Sequence, residues 1–149
     1  MKKLTIASLS IVMVVLMAFS SKNNSLKQDK DSWRVEQLMA PADLAKIIND
    51  GKENIYIYNI GPAGLIKNAI EIGDGRDEKN IAKLKDEVSK LPKDANIVIY
   101  CGCCPFGHCP NIRPAFNLLN EMKFSNHKLL NLSQNLKVDW IDKGYPMNK

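Results

Sequence analysis

Aromatic residues make up only 7% of this 149-residue chain, and it holds just two histidines and four cysteines. No internal repeat appears, and the lysines are scattered without a basic run. The +5 net charge therefore gives nucleic-acid binding little support. With 45% hydrophobic and 25% charged residues, disorder, collagen-like repeats and multi-span membrane architectures are excluded as well. The length suits one domain with a real core and leaves little room for a second. Cysteine is scarce, but it is not dispersed. All four residues fall between Cys101 and Cys109, whereas a disulfide framework stapling a small fold would spread them along the chain.

Two further absences narrow the chemistry. A cysteine in a tyrosine-phosphatase-type anion loop needs an arginine six positions on, but Gly107 stands there after Cys101, and no other cysteine has that partner. Covalent haem needs C-x-x-C-H, and Pro105 follows Cys104.

Lys2 and Lys3 precede an apolar stretch over residues 4–19, closed by Ala18-Phe19-Ser20. This pattern predicts a secretory signal over residues 1–20, cleaved after Ser20. An uncleaved membrane anchor is the alternative, although the stretch is short for a transmembrane helix. No cysteine near Ser20 offers a lipid-anchor site. Cleavage takes the net charge from +5 to +3, since Lys2 and Lys3 go with the signal. The chain is then expected in a periplasm or outside the cell, without stable membrane insertion, where thiols face oxidation. Residues 21–31 are polar and read as a linker, which leaves residues 32–149 as the domain.

Within that domain short β-like runs alternate with helical ones. Residues 42–50 predict a helix with Pro41 in its first turn and Gly51 as its stop. Residues 54–60 (NIYIYNI) and 95–100 (ANIVIY) predict strands buried on both faces. Residues 77–90 and 112–122 carry apolar side chains at helical spacing. A third strand is predicted at 128–132, and a last helix at 136–143 closed by Gly144. This alternation implies an α/β domain with a central, mostly parallel sheet flanked by helices in three layers. Sites in such sheets form at the carboxyl ends of strands, and Cys101 stands at one. Trp33 and Trp140 are expected to pack in the core. His127, in the polar stretch Ser125-Asn126-His127-Lys128, is expected to be solvated.

The loop reads Cys101-Gly102-Cys103-Cys104-Pro105-Phe106-Gly107-His108-Cys109-Pro110, and Asn111 is the expected N-cap of the next helix. The positive end of that helix, with Arg113 in its first turn, favours thiolate over thiol and would stabilise a bound anion. Gly102 and Gly107 allow tight turns that aim backbone N–H groups inward. Phe106 and His108 complete the expected substrate-binding loop with these glycines, and His108 is placed to help deprotonate a neighbouring cysteine.

A strand ending in Tyr100-Cys101, then a loop and an amphipathic helix, resembles the active-site segment of rhodanese-like domains. Ile57-Tyr58-Asn59-Ile60 and the stretch Gly64 to Ile70 are similar to two upstream elements of that family. Asp139-Trp140 and Gly144-Tyr145-Pro146 match its C-terminal pattern. The resemblance spans roughly residues 44–146. It implies the rhodanese-like fold and sulfur transfer through a persulfide on Cys101, with a small sulfur donor or a protein thiol as partner. The chain departs from the family pattern at Asn59, where aspartate is usual, and at Gly61, where arginine is usual. Leu65 replaces a histidine, Lys67-Asn68 replaces Pro-Gly, and Ser133-Gln134 stands where two glycines are common.

Three other chemistries compete for the same loop. Cys101 and Cys104 have C-x-x-C spacing, which suits thiol–disulfide exchange. The expected fully oxidised state is Cys101–Cys104 with Cys103–Cys109, because a bond between the neighbours Cys103 and Cys104 is strained. Cys103, Cys104 and Cys109 are thus candidate resolving or disulfide partners. No cofactor is required, but Cys101, Cys103, Cys104, His108 and Cys109 could alternatively hold Zn²⁺ or Cu(I). The last alternative is a degenerate rhodanese-like binding domain whose loop is only structural.

Overall fold

The computed structural model describes residues 32–149. The expected signal and linker, over residues 1–31, lie outside the described residues. Among the described residues, no helix is long and apolar enough to cross a membrane.

Five strands form one parallel sheet in the order β1-β5-β4-β2-β3. They are β1 (Leu38–Met39), β2 (Ile55–Asn59), β3 (Ala69–Glu71), β4 (Asn96–Tyr100) and β5 (His127–Leu130). The helices are α1 (Pro41–Asp50), α2 (Glu78–Ser89), α3 (Ile112–Glu121) and the short α4 (Leu136–Asp139). Because side chains alternate across a strand, β2 and β4 feed two separate cores. Tyr58, Ile97 and Ile99 face one way and pack with Leu84 and Val88 of α2 and Ala115, Phe116 and Leu119 of α3. Ile57, Val98 and Tyr100 face the other way and pack with Leu44, Ala45 and Ile48 of α1 and Leu136 of α4. The result is the expected three-layer arrangement. Trp33 and Trp140 are both buried, one in each core.

The sequence reading missed β1 and β3. Each is too short to show alternation, and pairing with β5 and β2 is what makes them strands. The single helix expected over residues 136–143 is instead α4 followed by a 3-10 turn, Ile141–Lys143, with the break at Trp140. There the buried indole donates to the carbonyl of Pro146 (3.1 Å) and stacks edge-on against Tyr145. Gly144, with φ of +71°, reverses the chain as expected.

His127 corrects another expectation. It is the first residue of β5 and is buried, not solvated. Its Nδ1 lies 3.0 Å from the carbonyl of Phe124, and its Nε2 faces Asn120 Oδ1 (2.9 Å) and the Gln37 amide (3.3 Å). Burial lowers its pKa below the usual 6.5. The unfolded chain thus takes up the proton more readily, so this contribution to stability is present above about pH 6.5 and lost as pH falls below it. Urea unfolding midpoints should fall from pH 7 to pH 5, and a His127→Gln variant should flatten that slope.

Candidate functional site

After β2 the chain runs outward to β3, and after β4 it returns the other way to β5. The crevice beyond the carboxyl ends of β2 and β4 is therefore the switch point of the sheet, where open α/β sheets gather ligands. Two loops meet in it. One follows β2 from Ile60, and the other follows β4 from Cys101.

The first loop is fixed by buried polar groups. Asn59 is fully buried; its Oδ1 accepts from the N–H of Gly61 (3.1 Å), and its Nδ2 donates to the carbonyl of Ala63 (2.7 Å). An aspartate here would keep the first bond and lose the donor for the second. The Tyr100 hydroxyl donates to the carbonyl of Gly64 and accepts from the N–H of Ile66, both at 3.0 Å. Burial pushes that phenol's pKa up to about 12, so it stays a donor at any ordinary pH.

Gly61 then sits against the cysteine. A Cβ at this position would run into Cys101 Sγ and would lie 3.0 Å from the Cys101 carbonyl oxygen. The bare backbone is what leaves room for the sulfur. From the sequence, Gly61 reads only as a departure from a family pattern. Its use depends on a contact 40 residues away in the chain, and no local signal marks that contact.

Four donors converge on the buried Cys101 sulfur. They are the Cys109 thiol, the Cys103 thiol, the Cys103 backbone N–H and the Asn111 side-chain amide at 3.4 Å. The Cys101 and Cys103 sulfurs are 3.2 Å apart. Burial opposes ionisation, but these donors outweigh it, with Cys109 contributing most, and the Cys101 pKa falls to about 5. The same arrangement holds its partners protonated. Burial and the adjacent Cys101 push Cys103 up to about 12, and donation to Cys101 raises Cys109 further. One thiolate among several thiols is the result. Ultraviolet absorbance should register one thiolate equivalent at pH 7, titrating with a midpoint near 5 and missing from Cys101→Ser.

All four cysteines are free thiols. Cys101, Cys103 and Cys109 are brought together, with their sulfurs within 4.8 Å of one another. Cys104 and His108, expected in the same cluster, stand outside this trio. Cys104 touches the trio through Cys103, at 3.3 Å, so the neighbour that the structure gives Cys101 is the C-x-C partner Cys103 and not the C-x-x-C partner. His108 is exposed in the 3-10 turn Phe106–His108.

Asn111 also departs from expectation. Its side chain makes no cap bond to α3, because its amide is turned to Cys101. The Oδ1 of this buried residue has no hydrogen-bond partner. Arg113 donates to the carbonyls of Gly107 (2.9 Å) and Cys109 (3.4 Å) and lies over the Trp33 ring at 5.3 Å. These bonds brace the cysteine loop against α3. Phe106 packs on Trp33, and its N–H donates to the carbonyl of Leu132. Its observed contacts are therefore packing contacts. Gly102 has φ of +78° and is crowded by Ala63 and Leu136, so glycine is required there, as expected. Gly107 has neither a positive φ nor a close neighbour, and nothing in the structure demands glycine at that position.

A cation that sequence reasoning missed stands opposite the loop. Arg76 is bound to Asp74 (2.6 Å) and lies within electrostatic range of Cys103 and Cys109. Gly75 permits this approach, since a Cβ there would strike the Asn111 carbonyl oxygen.

No family model matches the chain, and no curated protein matches it. Solved structures do. A rhodanese-like domain from Anabaena sp. superposes with a TM-score of 0.54 at 20% identity, over 75% of this chain and 78% of that one. A protein from Bacillus halodurans gives 0.52 at 24% identity over 72% of each chain. One from Lactobacillus plantarum gives 0.56 at 14% identity over 76% and 89%. With its five parallel strands, two flanking helical layers and cysteine-rich loop at the switch point, the chain has the fold of rhodanese-like domains.

Proposed function

We propose that the protein transfers sulfane sulfur through a persulfide on Cys101. The observation that carries this reading is the single low-pKa sulfur, surrounded by four donors, at the carboxyl end of β4 in a rhodanese-like fold. The Cys101 thiolate attacks the outer sulfur of a donor such as thiosulfate. An S–S bond forms on Cys101, and the donor's own S–S or S–S(O) bond breaks, releasing sulfite or a thiolate. The Asn111 amide and the Cys103 N–H then stabilise the persulfide anion as they stabilise the thiolate. An acceptor nucleophile takes the outer sulfur and restores the Cys101 thiolate.

Cys103 supplies a second exit. It is exposed and adjacent to Cys101, so its sulfur can attack Cys101 Sγ, forming the Cys101–Cys103 disulfide and expelling hydrosulfide. An external dithiol then reduces that disulfide. This assigns the resolving role to Cys103 ahead of Cys104 and Cys109.

The test is intact-mass and peptide mass spectrometry after incubation with thiosulfate. One added sulfur on the Cys101 peptide, removed by a thiol, supports the reading. Full loading of Cys101→Ser would overturn it. Disulfide without any persulfide would favour thiol–disulfide exchange, for which the adjacency of Cys101 and Cys103 is the specific support.

A further inference from the structure

We infer that Cys101, Cys103 and Cys109 form a three-thiolate site for a soft monovalent cation, Cu(I). Three sulfurs from one loop lie within 4.8 Å of one another and are joined by no disulfide. Three ligands at about 2.3 Å in a plane stand about 4 Å apart, a spacing the trio reaches with small side-chain movements. Two features of the donor set choose the ion. All three donors are sulfur, which selects soft metals. Among the described residues no fourth donor joins all three sulfurs, because His108 lies outside the group and Cys104 reaches only Cys103 (3.3 Å), whereas a structural zinc site takes four ligands. Cu(I) is satisfied with three thiolates.

The surroundings fit a buried cation–thiolate cluster. Cys101 and Cys109 are buried, while Cys103 is exposed and gives the ion an entry path. Cu(I) displaces the protons that Cys103 and Cys109 carry in the free protein, so binding releases two protons to solvent. The buried Asn111 directs its amide at Cys101 and would hold that ligand in orientation, while its Oδ1 stays free for a further donor. The site shares Cys101 with the proposed sulfur transfer but does not depend on it. The two uses exclude each other at any one moment.

The experiment is anaerobic competition for Cu(I) between the reduced full chain and a chromophoric chelator, with X-ray absorption on the loaded protein. One Cu(I) per chain in a shell of three sulfurs is expected. Cys103→Ser should weaken retention at least about 100-fold, while Cys104→Ser and His108→Ala stay within about threefold. Cys103 is exposed, so its serine variant is not expected to unfold the chain. Cys109→Ser should weaken retention to the same degree, and direct absorption data on the unsubstituted protein carry the test if that variant does not fold. Loss of Cu(I) to the chelator at one equivalent would overturn the site. So would a nitrogen ligand in the shell, equal loss in Cys104→Ser, or preferential retention of Zn²⁺. Persulfide formation is read separately by mass, so failure of either idea leaves the other distinguishable.

Discussion

Cys101→Ser is expected to lower sulfur transfer by at least about a thousandfold, the scale on which loss of a catalytic nucleophile registers. A serine hydroxyl is not ionised near pH 7, and the donors that stabilise a thiolate cannot bring it into that range. The fold should survive. The Asn111 amide and the Cys103 N–H remain available to a serine oxygen, so the unfolding free energy is expected to change by less than about 2 kcal/mol. Activity measured with thiosulfate and a thiol acceptor, together with a urea unfolding curve, checks both halves. Near-normal activity in a folded variant would remove Cys101 from the mechanism. Unfolding would point to a structural cysteine instead.

Gly61→Ala is expected to lower the same activity by about 100-fold, although the new methyl group would touch no substrate. The added Cβ collides with Cys101 Sγ and meets the backbone of Cys101 as well. Cys101 follows directly on β4, and the Ile60 N–H donates to the Tyr100 carbonyl (2.9 Å), so the backbone has little freedom to yield and the sulfur must move. Displacement takes it away from the Asn111 amide and the Cys103 N–H, and its pKa should climb from about 5 toward the ordinary thiol range near 8.5. Overpacking adds about 1–3 kcal/mol of destabilisation. The thiolate titration separates the two effects, because general destabilisation alone leaves the midpoint of the folded protein unchanged. A variant that keeps both the low midpoint and the activity would show that Gly61 does not position the sulfur.

Much of the fold was legible because its signals are local. The runs NIYIYNI and ANIVIY read as strands buried on two faces, and β2 and β4 lie within them. Gly51 and Gly144 stop the chain where glycine is needed for a left-handed turn. What escaped was set by pairing. β1 and β3 are too short to carry a pattern, and His127 looked polar because its neighbours are, although β5 carries it into the core beside Gln37 and Asn120. The site divides in the same way. Cys101 at the end of a strand is a local pattern and was found. Gly61 and the amide of Asn111 meet Cys101 through the fold, where sequence spacing says nothing of distance.

The sequence by itself therefore determined the α/β layering, the position of the cysteine loop and the candidate nucleophile, because strand burial, helix periodicity and strand-to-loop boundaries are properties of consecutive residues. Tertiary structure alone decided which sulfurs meet. The C-x-x-C spacing favoured Cys104, but the turn at Gly102 and the return of the loop through Cys109 set Cys103 and Cys109 beside Cys101. Donor geometry then made one sulfur a thiolate and kept its partners protonated. A cysteine's pKa is fixed by the few ångströms around its sulfur, and only the folded chain defines that space.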